Sequence, residues 1–467
     1  MTLDPLILSR LQFFWVIGWH ILLPAFTIGL ASFISVMEGA HIVTGREVLV
    51  RISSFWVKIF SVAFGMGVVS GIVMPFQFGT NWSRYSADTA NILSPLFAYE
   101  GLVAFFLEAA FLGVLLFGRN LVPRWAHFVA ALMVALGTLF SAFWILSANS
   151  WMQTPLGYKI VDGRFIPVDW VAIVFNPSFP YRFAHMVCAA YITTGFVVLS
   201  VGAWTIRKGR FAEEGRLMFS ITLWLLLVLV PLQIFLGDQH GLITLEHQPA
   251  KLAAIEGDFR TEAPTPLHLF AIPDQNAATN QFDIAIPWLG SILLTHSWSG
   301  TVRGLDQFPR QDWPTVIFPF FAFRIMVGVG LLMLTLVVWG NWMRRGDRLF
   351  RNAYLLRVFE FAAPLGFIAV IAGWVTTETG RQPWTVYGLL RTVDSVSPSL
   401  TGWDVLVSLL CYIIVYAIIF PSGWVVMSRI VRRGPEAMVA EDEVVESGRP
   451  GHPVTELPAS RAGTAMR

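Results

Sequence analysis

Long apolar runs separated by polar connections set the pattern of this chain. Nine runs are long enough to cross about 30 Å of hydrocarbon, which takes roughly 20 helical residues each. They cover approximately 11–37, 54–79, 94–117, 127–150, 182–206, 217–237, 313–340, 356–377 and 402–428. A segment in lipid must satisfy its own backbone polar groups, so each run is predicted to be a helix. The pattern predicts an all-α polytopic membrane protein with about nine transmembrane helices. The first run is too long for a signal-peptide core and no small-residue cleavage site closes it, so it reads as a retained first helix. No internal repeat is visible, which gives an inverted-repeat transporter no support.

The connections alternate in charge. Short basic loops carry Arg46 and Arg51, Arg119 and Arg124, Arg207 to Arg216, Arg344 to Arg357, and Arg429 to Arg433. The others are longer and more acidic, the largest running over 238–312. The positive-inside rule puts the basic loops in the cytoplasm, which makes the amino terminus periplasmic and the carboxy terminus cytoplasmic. The 434–467 tail is polar, acidic at Glu441 to Glu446 and rich in Pro and Gly, the signature of a disordered segment. A connection as long as 238–312 is more often functional than not.

Composition agrees with this class. Of 467 residues 55% are hydrophobic and 13% charged, about half the charged share of a soluble domain. The net charge of +2 gives no reason to expect nucleic acid as a partner. Cys188 and Cys411 both sit in apolar runs, which leaves no disulfide framework, haem-attachment motif or thiolate metal site.

Ionisable side chains inside such runs are costly, roughly 2.5–3.5 kcal/mol each at mid-membrane, and each needs a reason. His20 lies in FWVIGWHILLPAF, Glu100 and Glu108 in YEGLVAFFLEAAF, His185 in YRFAHMVCAAY, and Arg324 and Met326 in FAFRIMVGVG. Glu378 lies in AGWVTTETGRQPW, where an apolar run turns abruptly polar and a helix is expected to end near Glu378, with Arg381 close by. A carboxylate there can be a counter-ion, a proton relay, a metal ligand or half of an interfacial ion pair. Counted from the outer helix ends, His20, His185, Glu100 and Glu378 share the outer half, with Met326 somewhat deeper. Imidazole and thioether are axial haem ligands, and Arg324 can fork onto haem carboxylates. On a regular helix Glu100 and Glu108 lie about 12 Å apart and about 80° apart in azimuth, on one broad flank suited to a proton path.

Taken together these stretches resemble subunit I of the cytochrome bd-type quinol oxidases. The resemblance rests on RLQF at 10–13, YEGLVAFFLEAAFLG, ILSANSWMQTPLG at 145–157, GDQHG at 237–241, QPAKLAAIEG at 248–257, FRIMVG at 323–328 and GRQPW at 380–384. It implies a haem-binding oxidase domain over 1–433 and quinol oxidation by the 238–312 loop, with Lys251 and Glu256 taking part. His185 and Met326 would hold a low-spin haem b, with Arg324 near it. His20 and Glu378 would bind a high-spin haem b and a third haem, either haem d or a further haem b, with Trp374 and Arg381 also in cofactor contact. Glu100 and Glu108 would deliver protons. The uninterrupted passage from QPAKLAAIEG through AIPD at 271–274 resembles the short-loop form, nearer the cyanide-insensitive branch.

The resemblance further implies ubiquinol or menaquinol and O2 as substrates. It implies a second large membrane subunit, a single-helix small subunit and a multi-pass place in the bacterial inner membrane. The activity would be electrogenic, with protons taken from the cytoplasm and no pump. The alternatives are a membrane b-type cytochrome that passes electrons on without reducing O2, or a haem-free ion or solute transporter.

Overall fold

The computed structural model describes residues 3–344 and 348–435; most of the 434–467 tail, and Arg345 among the basic loop residues, lie outside them. Among the described residues, nine helices are long and apolar enough to span a membrane. They are α1 (Pro5–Thr44), α2 (Glu47–Thr80), α3 (Ser83–Phe117), α4 (Arg124–Gln153), α5 (Phe179–Lys208), α6 (Ala212–His247), α7 (Ile317–Trp342), α8 (Ala353–Arg381) and α9 (Gly402–Arg433). Local chemistry sets several ends. Asp4 caps α1 through the Leu6 amide with Pro5 at the first helical position, Gly45 closes it in the left-handed conformation, and Thr401 with Asp404 forms a capping box on α9.

Two helices make the centre. In the most apolar windows of α1 and α5, 61% and 67% of residues are buried, against 17–39% in the other spans. α1 packs on α2, α4, α5, α8 and α9, and α5 on α1, α4, α6 and α8. Helices in lipid gain no hydrophobic drive from meeting, so close approach depends on small residues. Gly29 of α1 is one such point: a Cβ there would lie 2.4 Å from Thr194 Oγ1 and 2.8 Å from the Ala190 carbonyl, both on α5.

The apolar clusters leave a layer between them. On the basic-loop side, one cluster joins 26–37 of α1 to 48–63 of α2, Leu115, and 131–135 of α4. A second joins 188–203 of α5, 219–230 of α6, 333–337 of α7 and 349–362, which includes the start of α8. On the opposite side one cluster gathers Trp82, Tyr85, 92–96, Trp151 and Val386, and another forms inside the long loop around Ala253, Phe259, Ala271 and Phe320. His20, Glu100 and Met326 each fall, along their own helices, between residues of an inner and an outer cluster, while His185 and Glu378 lie outward of the inner one.

Two boundaries differ from the sequence reading. α6 continues to His247, so GDQHG is helical and the long connection begins at 248, not 238. α8 runs through Glu378 to Arg381, the residue before Gln382–Pro383, and not merely to Glu378. Polar residues at the end of a spanning helix can stay helical where the chain leaves the apolar layer. The long connection then forms a buried helix, Pro249–Glu256, and an antiparallel hairpin of β3 (Leu267–Asp274) and β4 (Thr279–Ile286); β1 (Tyr158–Val161) with β2 (Arg164–Pro167) make a smaller hairpin earlier in the chain.

The Gly29 contact gives a direct test of this packing. Gly29→Leu should overpack the α1–α5 contact and cost about 1–3 kcal/mol, lowering the thermal unfolding midpoint of the detergent-purified protein. Gly65→Leu, where a Cβ meets nothing within 4 Å, should leave it near that of the parent. Equal midpoints for the two variants would remove the close approach as a determinant of the fold.

Candidate functional site

Glu378 sits in the last turn of α8 with both oxygens engaged. Oε1 accepts from Asn149 Nδ2 of α4 at 3.0 Å, and Oε2 pairs with Arg381 at 2.6 Å. Asn149 Oδ1 in turn accepts from Arg182 of α5 at 2.6 Å. Lys251, on the loop helix, packs its stem against Gly380 and donates to Gln153 Oε1 at 3.0 Å and Gln248 Oε1 at 3.3 Å. Arg182, Lys251 and Arg381 are all buried. The pocket thus holds three basic side chains around one carboxylate.

That imbalance has a chemical meaning. Arg182 Nε and Arg381 Nε and Nη1 are buried with no hydrogen-bond partner, and buried donors left unpaired are costly. Burial first, then the Arg182 charge, hold the Lys251 ammonium well below its ordinary range. All three groups would gain from an anion at this level. The carboxylates of a haem are such an anion, so the donor set fits a haem here.

His20, on α1, lies against α2. Its Nδ1 meets Ser70 Oγ at 2.9 Å, and the Ser70 hydroxyl can donate to the Met66 carbonyl at 3.0 Å or that of Gly67 at 3.1 Å. With the hydroxyl proton so used, Ser70 accepts from Nδ1–H and the Nε2 lone pair is left for a metal. Gly71 faces the ring, where a Cβ would come within 3.1 Å of Cε1. Trp374 of α8 reaches the same stretch of α1, near Gly18 and 5.4 Å from the Phe14 ring.

α5, α6, α7 and α8 close a ring of contacting helices that carries His185 and Met326. His185 faces Gly237, has one ring nitrogen 3.1 Å from Gln233 Nε2, and keeps Nδ1 buried without a partner. Met326 Sδ would lie 2.9 Å from a Cβ on Gly373. A helix glycine therefore stands beside each of His20, His185 and Met326. Such cradles fit a flat, bulky macrocycle, and the free ring nitrogen fits a metal.

α3 departs from a regular helix at Glu100–Phe105, where it makes a π-turn. A π-turn adds one residue to the helix, so Glu100 and Glu108 stand as residues seven apart would on an α-helix. That brings them within about 20° of one line, not the 80° of a regular helix. Both face α4: Glu100 accepts from Ser141 Oγ at 2.9 Å, and Glu108 packs its Cγ over Gly137 with Oε1 buried and unpartnered.

Two expectations for the loop take a different form. Arg324 was expected to meet haem carboxylates. Its guanidinium instead bonds the backbone carbonyls of Ile255, Glu256, His268 and Phe320, fastening the loop helix and β3 to α7. Lys251 and Glu256 lie five positions apart on one short helix, about 140° in azimuth, and point to different neighbours. Lys251 belongs to the Glu378 pocket, whereas Glu256 lies 3.8 Å from Arg324. The sequence reading did not single out Asn149, Gln153, Arg182, His240 or Gln248. Their signal was polarity at the rims of apolar runs, within ILSANSWMQTPLG, YRFAH, GDQHG and QPAKL; the His240 ring lies 5.8 Å from that of His185.

Comparison with known proteins agrees with this arrangement. The family model described as cytochrome bd terminal oxidase subunit I matches residues 8–435. The chain is 33% identical to a cytochrome bd ubiquinol oxidase subunit 1 of Bacillus subtilis (strain 168), covering 93% of this chain and 95% of that protein. It is 32% identical to a cytochrome bd-II ubiquinol oxidase subunit 1 of Escherichia coli (strain K12), covering 95% and 100%. Among solved structures, the bd oxidase from Geobacillus thermodenitrificans superposes with a TM-score of 0.86 at 26% identity, covering 92% of this chain and 99% of that one.

The π-turn makes a prediction of its own. Deleting Gly101, which borders open space, should leave an unbroken α-helix with Glu100 and Glu108 still on α4 and a thermal midpoint near the parent's. Deleting Ala110, in the regular part, should rotate the preceding residues by about 100° and lower the midpoint. Equal loss in both would contradict the alignment.

Proposed function

As a chain that belongs to the cytochrome bd terminal oxidase subunit I family, a multi-pass protein of the bacterial inner membrane, this is the haem-bearing subunit of a respiratory oxidase; we propose that it oxidises quinol at the periplasmic side and reduces O2 to water with cytoplasmic protons. Family membership sets aside the transporter and the electron-passing cytochrome. The observation that carries the proposal is the set of unpartnered cationic donors around Glu378, together with the helix glycines that face His20, His185 and Met326.

Haems bound in this layer would store single electrons and provide the iron at which oxygen is reduced. His185 and Met326 would hold a low-spin haem b. His20 and Glu378 would serve a high-spin haem b and a third haem, d or b, with Trp374 against its face and Arg182, Arg381 and Lys251 neutralising carboxylates. Arg324 would position the loop through the backbone carbonyls it binds, beside the low-spin haem. Ubiquinol or menaquinol would meet the 238–312 segment, where Glu256 accepts a hydroxyl proton. Lys251, turned toward the Glu378 pocket, serves the haem carboxylates better than it serves the quinol.

Glu108 and Glu100 would carry protons inward along the α3–α4 contact, the deeper Glu108 first. Protons for water would come from the cytoplasm and those from quinol leave on the other side, so turnover would separate charge without a pump. The amino terminus would be periplasmic and the carboxy terminus cytoplasmic. Partners would be a second large membrane subunit and a single-helix small subunit, and the tail beyond 433 would lie in the cytoplasm.

Two substitutions test the reading. Met326→Leu keeps volume and apolarity, so folding should cost below about 1.5 kcal/mol while the low-spin haem turns high-spin or is lost in the reduced-minus-oxidised spectrum. An unchanged spectrum would make Met326 a packing residue. Glu108→Gln should keep the haem bands but slow oxygen reduction in flow-flash kinetics after the first electrons arrive; a haem-replete variant at the parental rate would rule out helix α3 as the proton path.

A further inference from the structure

Beyond Glu256 the long loop contains a line of titratable groups that the mechanism above does not use. Glu256 ends the loop helix buried, with Oε2 unpartnered. Gly257 then turns the chain at φ +84°, which returns Asp258 to the same interior. Asp258 is 4% exposed and its Oδ2 has no partner. Its Oδ1 lies 3.6 Å from His268 Nε2 on β3, and His268 Nδ1 lies 2.7 Å from Asp283 Oδ1 on β4. The Asp283 side chain is 33% exposed. A sequence of neighbours therefore runs from a sealed carboxylate to solvent.

This arrangement is poor as pure structure. Two buried carboxyls beside each other disfavour ionisation, and burial raises both, Asp258 well above the usual carboxylate range with Glu256 adding to it. The cation at hand, Arg324, has its donors on backbone carbonyls and reaches Glu256 at 3.8 Å only. Glu262 adds a further negative charge near Asp258. Imidazole, in contrast, can take a proton on one nitrogen and release another from the opposite one, and here the two nitrogens face a buried and an exposed carboxylate.

We propose that Asp258, His268 and Asp283 are a proton exit relay that carries the protons of quinol oxidation from Glu256 to the outer surface of the loop. It rests on the reading of this loop as the site of quinol oxidation. Quinol loses two electrons, which leave to the haem irons of the oxidase, and two protons, one at a time, to the Glu256 carboxylate. Each proton passes to Asp258. The Asp258 O–H then protonates His268 Nε2 while Nδ1–H gives its proton to Asp283 and so to water. A tautomer exchange of the ring resets the relay, and no group is consumed. His268 is a positioning and relay residue; it does not touch the quinol.

The test uses the assembled holoenzyme in proteoliposomes. His268→Ala retains the backbone carbonyl that Arg324 binds, so the haem difference spectrum should be unchanged. Quinol turnover should fall on the order of a hundredfold to ten-thousandfold in kcat with KM unmoved, the range of a lost proton-transfer group. Proton appearance outside, followed with a membrane-impermeant pH dye, should slow by the same factor. Added imidazole should restore both, and oxygen consumption driven by tetramethylphenylenediamine, an electron donor that releases no proton, should not change. Rescue by His268→Asn, which keeps a hydrogen bond to Asp283 but cannot relay, would mean that His268 only staples the hairpin and would overturn the proposal. So would normal kcat and proton release in His268→Ala. Should that variant fail to assemble, Asp283→Asn at the exposed end must slow proton release, and parental release there would overturn the proposal equally. Glu256→Gln separates the two readings: if it turns over quinol normally, the quinol site is wrong, and if it is inactive while His268→Ala is normal, only the relay is wrong.

Discussion

A carboxylate in an apolar layer must be paired, and in this chain the pairing of Glu378 fixes much else. One oxygen is held by Asn149 of α4 and the other by Arg381 one turn along α8, and Asn149 is held in turn by Arg182 of α5. Three helices far apart in sequence are thereby tied at one height. The loop helix joins through Lys251, which lies against Gly380. Removing one member would leave a buried charge without its partner, which costs far more than the pair contributes in net stability. Such a chain of hydrogen bonds sets register between helices in a way that apolar contacts, which slide, do not.

Above and below this level the construction is different. Inner and outer clusters of Phe, Leu, Ile, Val and Trp make the bulk of the packing, and α1 and α5 come together where Gly29 leaves room for Thr194. Helix glycines face His20, His185 and Met326 in the part of the bundle these clusters leave open. Rigid packing on both sides supports a polar middle whose own groups, without a bound cofactor, are only partly satisfied.

How far the sequence reveals this depends on the range of the interaction. The nine spans and their order follow from apolar run lengths, because burial in lipid is read one helix at a time. The end of α6 at His247 was not legible: Asp238, Gln239 and His240 look like loop, yet the helix continues through them. The alignment of Glu100 with Glu108 was half legible, since periodicity gives the flank but not the extra residue of a π-turn. Least legible were Asn149, Arg182 and Gln248, whose partners lie 33 to 229 positions away. Nothing local marks which rim polar residue meets which. The backbone partners of Arg324 were hidden for the same reason.

The Arg324 contact has a consequence for how the loop can change. The hydrogen bonds of its guanidinium all go to main-chain oxygens, at Ile255, Glu256, His268 and Phe320. A clamp of that kind is blind to side-chain identity. The hairpin beyond it can be lengthened, shortened or exchanged for that of another oxidase, and the anchor will hold as long as the chain brings three carbonyls back to the same arginine.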